Sequence, residues 1–288
     1  MVDDISPAWR DWIVNNLQRG CTRQSMIDSM VRAQFDATFA AACIARIDDA
    51  KIDRQQMMPV TSFLSNEPYR YEPSRIGSGN SIALSDGPVK VALRLSRPEV
   101  VLIESFMSDK ECEELIEQAR YKLLPSTVVD PQSGDRQVIA ARSSEGTYFQ
   151  RGENELVQCL ERRISELMNW PVECGEGIQI LHYQTGAEYR PHFDYFPEQN
   201  AGSIPHLAQG GQRVATLVMY LNEVIEGGET VFPDGGLSVT PKRGSAVYFS
   251  YVNSLGQVDP ATLHAGAPVL AGEKWIATKW MRQRQYGG

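Results

Sequence analysis

His192-Phe193-Asp194 sets an imidazole and a carboxylate two residues apart. On an extended strand, side chains alternate between faces, so His192 and Asp194 can reach one ion while Phe193 turns away. One imidazole and one carboxylate are two of the three groups in the facial set that holds non-haem Fe(II). The chain has only four histidines, at 182, 192, 206 and 264, so a third ligand has few sources. His264, in Leu263-His264-Ala265-Gly266, is the candidate. It can approach the pair only if two distant strands are neighbours, which a barrel allows. Lys274 follows at the start of an alternating strand. An inward lysine in a barrel is costly unless its charge is paired, and a bound dicarboxylate would pair it. His182 has opposite parity to Tyr183 on its strand and reads as packed, while His206 falls in a Gly-, Pro- and Gln-rich stretch and reads as a loop residue.

The elements that must position these groups lie mostly after Gly175. Strand-like runs appear at 177–183, 214–221, 237–240, 246–251 and 275–280, separated by Gly and Pro turns. Short strands with this punctuation suggest a sandwich or barrel. Two helices precede them. Ser108-Asp109-Lys110-Glu111 is a capping box for one, with Cys112, Leu115, Ile116 and Ala119 at spacings of three and four. The other runs from Asn154 to Met168 on Leu156, Leu160, Ile164 and Leu167. Cys112 and Cys159 read as core residues. Residues 199–211 read as a surface loop.

Residues 1–50 read as helical: one helix from Pro7-Ala8-Trp9 to Gly20, then another capped by Thr22. Met26, Met30, Phe35 and Ile44 supply its apolar material. This pair is expected to be a packing or dimerisation appendage, through which a homodimer could form. Turn and linker signals fill 52–88, so the expected division is a helical region and linker at 1–90 and a second domain at 91–288.

Lysine and arginine total 28 against 36 aspartates and glutamates, a net charge of −8. An acidic chain is a poor default partner for nucleic acid or an anionic membrane, and neither is expected. No stretch of eighteen apolar residues occurs, and the acidic start Met1-Val2-Asp3-Asp4 does not read as a signal peptide. The five cysteines are odd in number, widely spaced and lack a C-x-x-C, which points to a reducing compartment and a cytoplasmic location.

Taken together, several motifs resemble the iron(II)- and 2-oxoglutarate-dependent dioxygenases, and within them the prolyl 4-hydroxylase catalytic domain. They are Tyr183-Gln184-x-Gly186-x-x-Tyr189-x-x-His192-x-Asp194, Tyr220-Leu221-Asn222, Gly227-Gly228-Glu229-Thr230-x-Phe232-Pro233, Gly244-x-Ala246-x-x-Phe249, His264-Ala265-Gly266-x-Pro268-Val269, and Lys274-Trp275 with Trp280. The resemblance covers residues 97–283. It implies an α+β fold: a double-stranded β-helix, or jelly roll, with supporting helices.

The resemblance also assigns roles. His192, Asp194 and His264 would hold Fe(II). Lys274 would pair with the far carboxylate of 2-oxoglutarate, with Tyr183 and Thr230 at the same end. Arg142, Tyr189 and Trp280 would line the peptide side, and 143–151 and 199–211 would be the mobile elements. The implied reaction consumes O2 and 2-oxoglutarate, releases succinate and CO2, and hydroxylates a peptidyl proline at C4, with L-ascorbate as reductant. Two other readings stay open: hydroxylation of another residue, a free amino acid or a small metabolite, and a non-catalytic peptide-binding module on the same fold.

Overall fold

The computed structural model describes residues 9, 12–13, 16–17, 22–33, 35–55, 68–137 and 141–287. The chain forms two compact units, Met1–Glu67 and Pro68–Gly288. The division therefore falls earlier than the 90/91 boundary expected from turn composition. Residues 68–90 carry little apolar periodicity, yet they pack on the second unit and contribute its first strand.

In the first unit, α1 (Arg23–Arg32) starts where Thr22 Oγ1 accepts from Ser25 N. Helix α2 (Ala37–Gln55) is opened by Asp36, whose carboxylate accepts from the amides of Thr38 and Phe39. Ile13, Met26, Met30, Ala40, Cys43 and Ile44 are buried together, with Trp9, Leu17 and Phe35 packed against them. The expected opening at Pro7-Ala8 lies outside the described residues.

The second unit is a jelly roll built from antiparallel strands. They are β1 (Ser81–Ile82), β2 (Val89–Ser96), β3 (Glu99–Glu104), β4 (Leu124–Pro125), β5 (Val128–Val129), β6 (Arg136–Gln137), β7 (Glu145–Phe149), β8 (Ile178–Tyr183) and β9 (Tyr189–His192). They continue as β10 (Arg213–Tyr220), β11 (Glu226–Gly227), β12 (Thr230–Phe232), β13 (Leu237–Val239), β14 (Ala246–Ser250), β15 (His264–Gly266), β16 (Val269–Ala271) and β17 (Lys274–Arg282). One sheet has nine strands in the order β1-β2-β3-β14-β10-β17-β8-β7-β4, and a second has the order β13-β12-β15-β9. Strands β8, β10, β14 and β17 are buried along nearly their whole length because they are covered on both faces.

Helices α3 (Asp109–Arg120) and α4 (Glu155–Met168) supply part of that cover. The capping box of α3 is formed: Ser108 N donates to Glu111 Oε2 at 2.8 Å and Glu111 N to Ser108 Oγ at 3.3 Å. Asn154 caps α4 by accepting from Val157 N at 2.9 Å. Cys112 is buried as expected, but Cys159 is half-exposed, with its thiol 3.6 Å from Asp86 Oδ2. It sits off the apolar stripe of Val157, Leu160, Ile164 and Leu167.

Two segments, one expected as a mobile element and one as a surface loop, carry regular structure. Residues 143–151 contain β7, held between β8 and β4, so this segment is part of the large sheet. Residues 199–211 contain the short helix α5 (Ile204–Ala208). The β5–β6 hairpin, unmarked by apolar alternation, docks on this second segment. Gly202 N donates to Pro131 O at 3.0 Å, and a Cβ at Gly202 would collide with the Asp130 carbonyl.

Candidate active site and metal centre

Two cross-strand pairs assemble the site. Antiparallel β15 and β9 place His264 directly opposite His192. Antiparallel β17 and β8 place Lys274 opposite Tyr183. Strand β12 adds Thr230 opposite Gly266. The distant approach that His264 needs is thus a register consequence of the small sheet.

His192 is the last residue of β9, and Asp194 lies in the bend beyond it. The strand-alternation argument therefore reaches the right pair by a different geometry: the chain turns after His192, and the turn brings Asp194 back. Phe193 stacks on Tyr195 at 4.7 Å between ring centroids. His192 Nε2 lies 3.6 Å from Asp194 Oδ1, and His264 Nε2 lies 3.7 Å from Asp194 Oδ2. Among the described residues, these three form the one group whose donor atoms all lie within 4.8 Å of one another.

The outer atoms of the three side chains are already engaged. His192 Nδ1 faces Arg190 O at 2.9 Å, and His264 Nδ1 faces Thr262 O at 3.0 Å. Each ring therefore donates through Nδ1 and offers the Nε2 lone pair to the centre. Thr216 Oγ1 donates to Asp194 Oδ2 at 2.6 Å and contacts the Tyr251 hydroxyl at 3.0 Å. Burial, followed by the adjacent His264, pushes the His192 imidazole down to about 3, which keeps it neutral. Burial alone would raise the Asp194 carboxyl; its surroundings, among them the Arg213 cation and the Thr216 hydroxyl, outweigh burial and hold the group ionised. Two neutral imidazole nitrogens and one carboxylate oxygen fit Fe(II), since bonds of about 2.1 Å span donors roughly 3 to 4 Å apart.

Lys274 is 2 % exposed. Its ammonium lies 5.4 Å from the Tyr183 ring centroid and 6.0 Å from that of Tyr220. Burial pushes the amine down to about 8, opposed by the charge of Glu229. Room around it is kept by glycine: Gly227 and Gly228 have φ of +77° and +72°, and a Cβ at Gly228 would touch Lys274 Cδ at 3.4 Å. Thr230 accepts from the Tyr220 hydroxyl at 2.7 Å. Trp275 faces the other way and stacks on His182 at 4.1 Å, so His182 is packed on the outer face, 2.7 Å from Glu273 Oε2.

The triad and Lys274 open into one cavity of about 330 Å³ that also touches Arg142, Tyr189 and Trp280. Arg142 is 7 % exposed and is no solvated charge. It donates to Thr127 O at 3.0 Å and Gln179 Oε1 at 3.2 Å, lies over the Tyr189 ring at 4.6 Å, and keeps a buried Nε without a partner. Tyr189 in turn stacks on His192 at 3.6 Å. Trp280 carries the Arg213 guanidinium over its ring at 3.9 Å, and its Nε1 is buried without a partner. His206 is on α5, with Nε2 3.2 Å from Gly134 O, so it ties the hairpin to the opposite rim.

Three features have no motif. Thr216 braces Asp194 from the middle of an apolar strand. Glu176 joins Arg213 (2.6 Å) and Arg282 (2.7 Å) in a buried ion cluster along the cavity wall. The hairpin 128–137 covers the cavity through Val128, Val129, Asp130 and Pro131. A lone Thr inside Val214-Ala215-Thr216-Leu217-Val218 is the kind of signal that could have pointed to the first.

Residues 178–282 match the 2OG-Fe(II) oxygenase superfamily. The chain is 40 % identical to prolyl 4-hydroxylase 5 of Arabidopsis thaliana over 208 residues, 66 % of this chain and 70 % of the relative. It is 41 % identical to prolyl 4-hydroxylase 1 of the same plant over 213 residues, 69 % and 74 % of the two chains. In structure it resembles the viral collagen prolyl hydroxylase of Paramecium bursaria Chlorella virus-1 in its 2OG complex. That match has a TM-score of 0.50 and 32 % identity, and covers 64 % of this chain and 95 % of the viral one. Cross-strand geometry, donor set and relatives agree: this chain belongs to the prolyl 4-hydroxylase family of 2-oxoglutarate- and Fe(II)-dependent dioxygenases.

Proposed function

We propose that this enzyme hydroxylates a peptidyl proline at C4, consuming O2 and 2-oxoglutarate and releasing succinate and CO2. The observation that carries the reading is the single cavity holding the His192, Asp194 and His264 donors, buried Lys274 and the Arg142–Tyr189 wall. Fe(II) bound by the three donors supplies the activation of O2.

The side chains supply binding, orientation and exclusion of water. His192 and His264 present Nε2 because their Nδ1 protons are held by backbone carbonyls. Lys274 meets the far carboxylate of 2-oxoglutarate, a pairing that relieves the cost of a buried cation. Tyr183 and Thr230 hydrogen-bond the same end. Arg142, Tyr189 and Trp280 receive the peptide, which enters extended or as polyproline II because proline fixes φ and lacks an amide donor. The hairpin 128–137 and the facing segment with His206 shield the bound peptide from water.

L-Ascorbate is proposed as the reductant. A cytoplasmic location is proposed on the free cysteines at 43, 112, 159 and 174. No helix among the described residues is long and apolar enough to cross a membrane. For the helical N-terminal region, homodimerisation is the proposal.

The test is anaerobic titration of Fe(II) and 2-oxoglutarate into wild type and His192→Ala. A visible metal-to-ligand charge-transfer band is expected in the wild type alone. The same band in both proteins would remove His192 from the ligand set.

A further inference from the structure

Residues 69–72 run as an extended strap across the loop that delivers His264. Arg70 N donates to Gln257 Oε1 at 3.1 Å, and Asn253 Nδ2 donates to Arg70 O at 3.0 Å. Glu72 accepts from the Ser254 amide at 3.0 Å and from its hydroxyl. The Tyr71 ring packs edge-on against Tyr69 at 4.9 Å and lies under Arg97 at 5.1 Å, and its hydroxyl donates to Asp259 Oδ1 at 3.3 Å.

Asp259 is the pivot between this strap and the metal ligand. Its Oδ1 also accepts from Ala261 N at 3.0 Å, closing the turn 259–262. Its carbonyl accepts from Thr262 twice, from Oγ1 at 2.7 Å and from N at 3.2 Å. Thr262 O is then the acceptor that faces His264 Nδ1. Asp259 N donates to Tyr251 O at 2.8 Å, and the Tyr251 hydroxyl reaches Thr216, the residue that braces Asp194. Asp259 and Thr262 are each 1 % exposed, so water cannot replace these partners.

We infer that Tyr71 and Asp259 are positioning residues for His264: the strap fixes the turn 259–262, and the turn holds the Thr262 carbonyl that sets the ring's tautomer and direction. A metal-ligating histidine whose Nδ1 acceptor moves loses both the tautomer and the aim of its Nε2. The inference rests on His264 being a ligand. It gives residues 69–72 a task at the metal centre although they lie outside the segment that carries the family motifs.

The test is titration of Co(II), a redox-stable probe, into the full chain. The d–d spectrum is read together with the melting temperature of the metal-free protein. The variants are Tyr71→Phe, Asp259→Ala, Asp259→Asn and His264→Ala. Asp259→Ala is expected to weaken Co(II) binding by about 10- to 100-fold, the range typical of outer partners of metal ligands, and to shift the d–d band. Tyr71→Phe keeps the ring against Tyr69 and Arg97, and one step further from the metal it is expected to lose a few-fold in affinity, roughly 3-fold, with the same direction of band shift. Asp259→Asn retains an Oδ1 acceptor for Ala261 and should bind Co(II) close to wild type. If Asp259→Ala does not fold, Tyr71→Phe decides alone. Wild-type affinity and an unmoved band in Tyr71→Phe and Asp259→Ala, whatever the melting temperature does, would reduce the strap to packing and overturn the inference. Wild-type Co(II) binding by His264→Ala would instead overturn the ligand assignment on which it rests.

Discussion

Raising the pH through about 8 strips Lys274 of its charge in the free enzyme, because burial pushes its amine down to about 8. A carboxylate bound opposite it needs the protonated form, so affinity for 2-oxoglutarate is full below that value and lost above it. The charged fraction falls from about nine tenths one unit below the pKa to about one tenth one unit above it. KM for 2-oxoglutarate should therefore be nearly flat up to about pH 7.5 and rise roughly tenfold per unit beyond about pH 8.5. The neighbouring tyrosines do not confound this window: burial raises Tyr183 and Tyr220, and pushes Tyr189 up to about 12, so all three stay protonated.

The assay is initial-rate succinate formation at saturating Fe(II) and peptide, with 2-oxoglutarate varied at each pH. Lys274→Arg is the control, since a guanidinium stays charged throughout. Its KM should be higher because the fork does not fit a cavity shaped for an ammonium, but its profile should be flat over the same range. A wild-type KM that does not change between about pH 7 and about pH 9.5 would refute the depressed Lys274 amine, and an arginine variant with the same rise would refute Lys274 as the source of the pH dependence.

Further outcomes follow from the same geometry. Thr216→Val removes the donor to Asp194 Oδ2 at nearly constant volume and should weaken Co(II) binding by about 10- to 100-fold, read by titration. Arg142→Ala should raise KM for a proline-containing peptide more than KM for 2-oxoglutarate, because Arg142 lies at the Tyr189 wall and reaches the cosubstrate end only through Tyr183. Steady-state kinetics with each substrate varied in turn separates the two. Glu176→Gln leaves Arg213 and Arg282 side by side without their shared carboxylate; breaking a buried pair this way costs about 3–5 kcal/mol, visible as a lower denaturant midpoint.

Local spacing carried much of the site. His192, Asp194, His264 and Lys274 are legible because chemistry at a metal or a dicarboxylate demands those side chains, and few others in the chain could serve. The capping box of α3, the Asn154 cap of α4 and the apolar stripes of both are legible for a similar reason: their partners lie three or four residues away. What stayed hidden depends on register between distant strands. Thr216 lies on β10 of the large sheet and Asp194 just past β9 of the small one, and only the meeting of the two sheets puts them side by side. Glu176 meets Arg213 and Arg282 from two further elements, and in sequence each is an ordinary charge. The strap at 69–72 is tied by main-chain and polar side-chain bonds, which leave no apolar periodicity, so composition alone placed it in a linker. Residues 143–151 are small and polar and carry no apolar alternation, so β7, paired with β4 and β8, left no local signal.

The central claim is tested most directly by incubating the enzyme with Fe(II), O2, 2-oxoglutarate and a proline-rich peptide, then quantifying succinate and mapping the modified atom. Succinate and peptidyl 4-hydroxyproline should form in equal amounts, and neither should form in His192→Ala. Succinate released without peptide modification, or a hydroxyl on a residue other than proline, would contradict it.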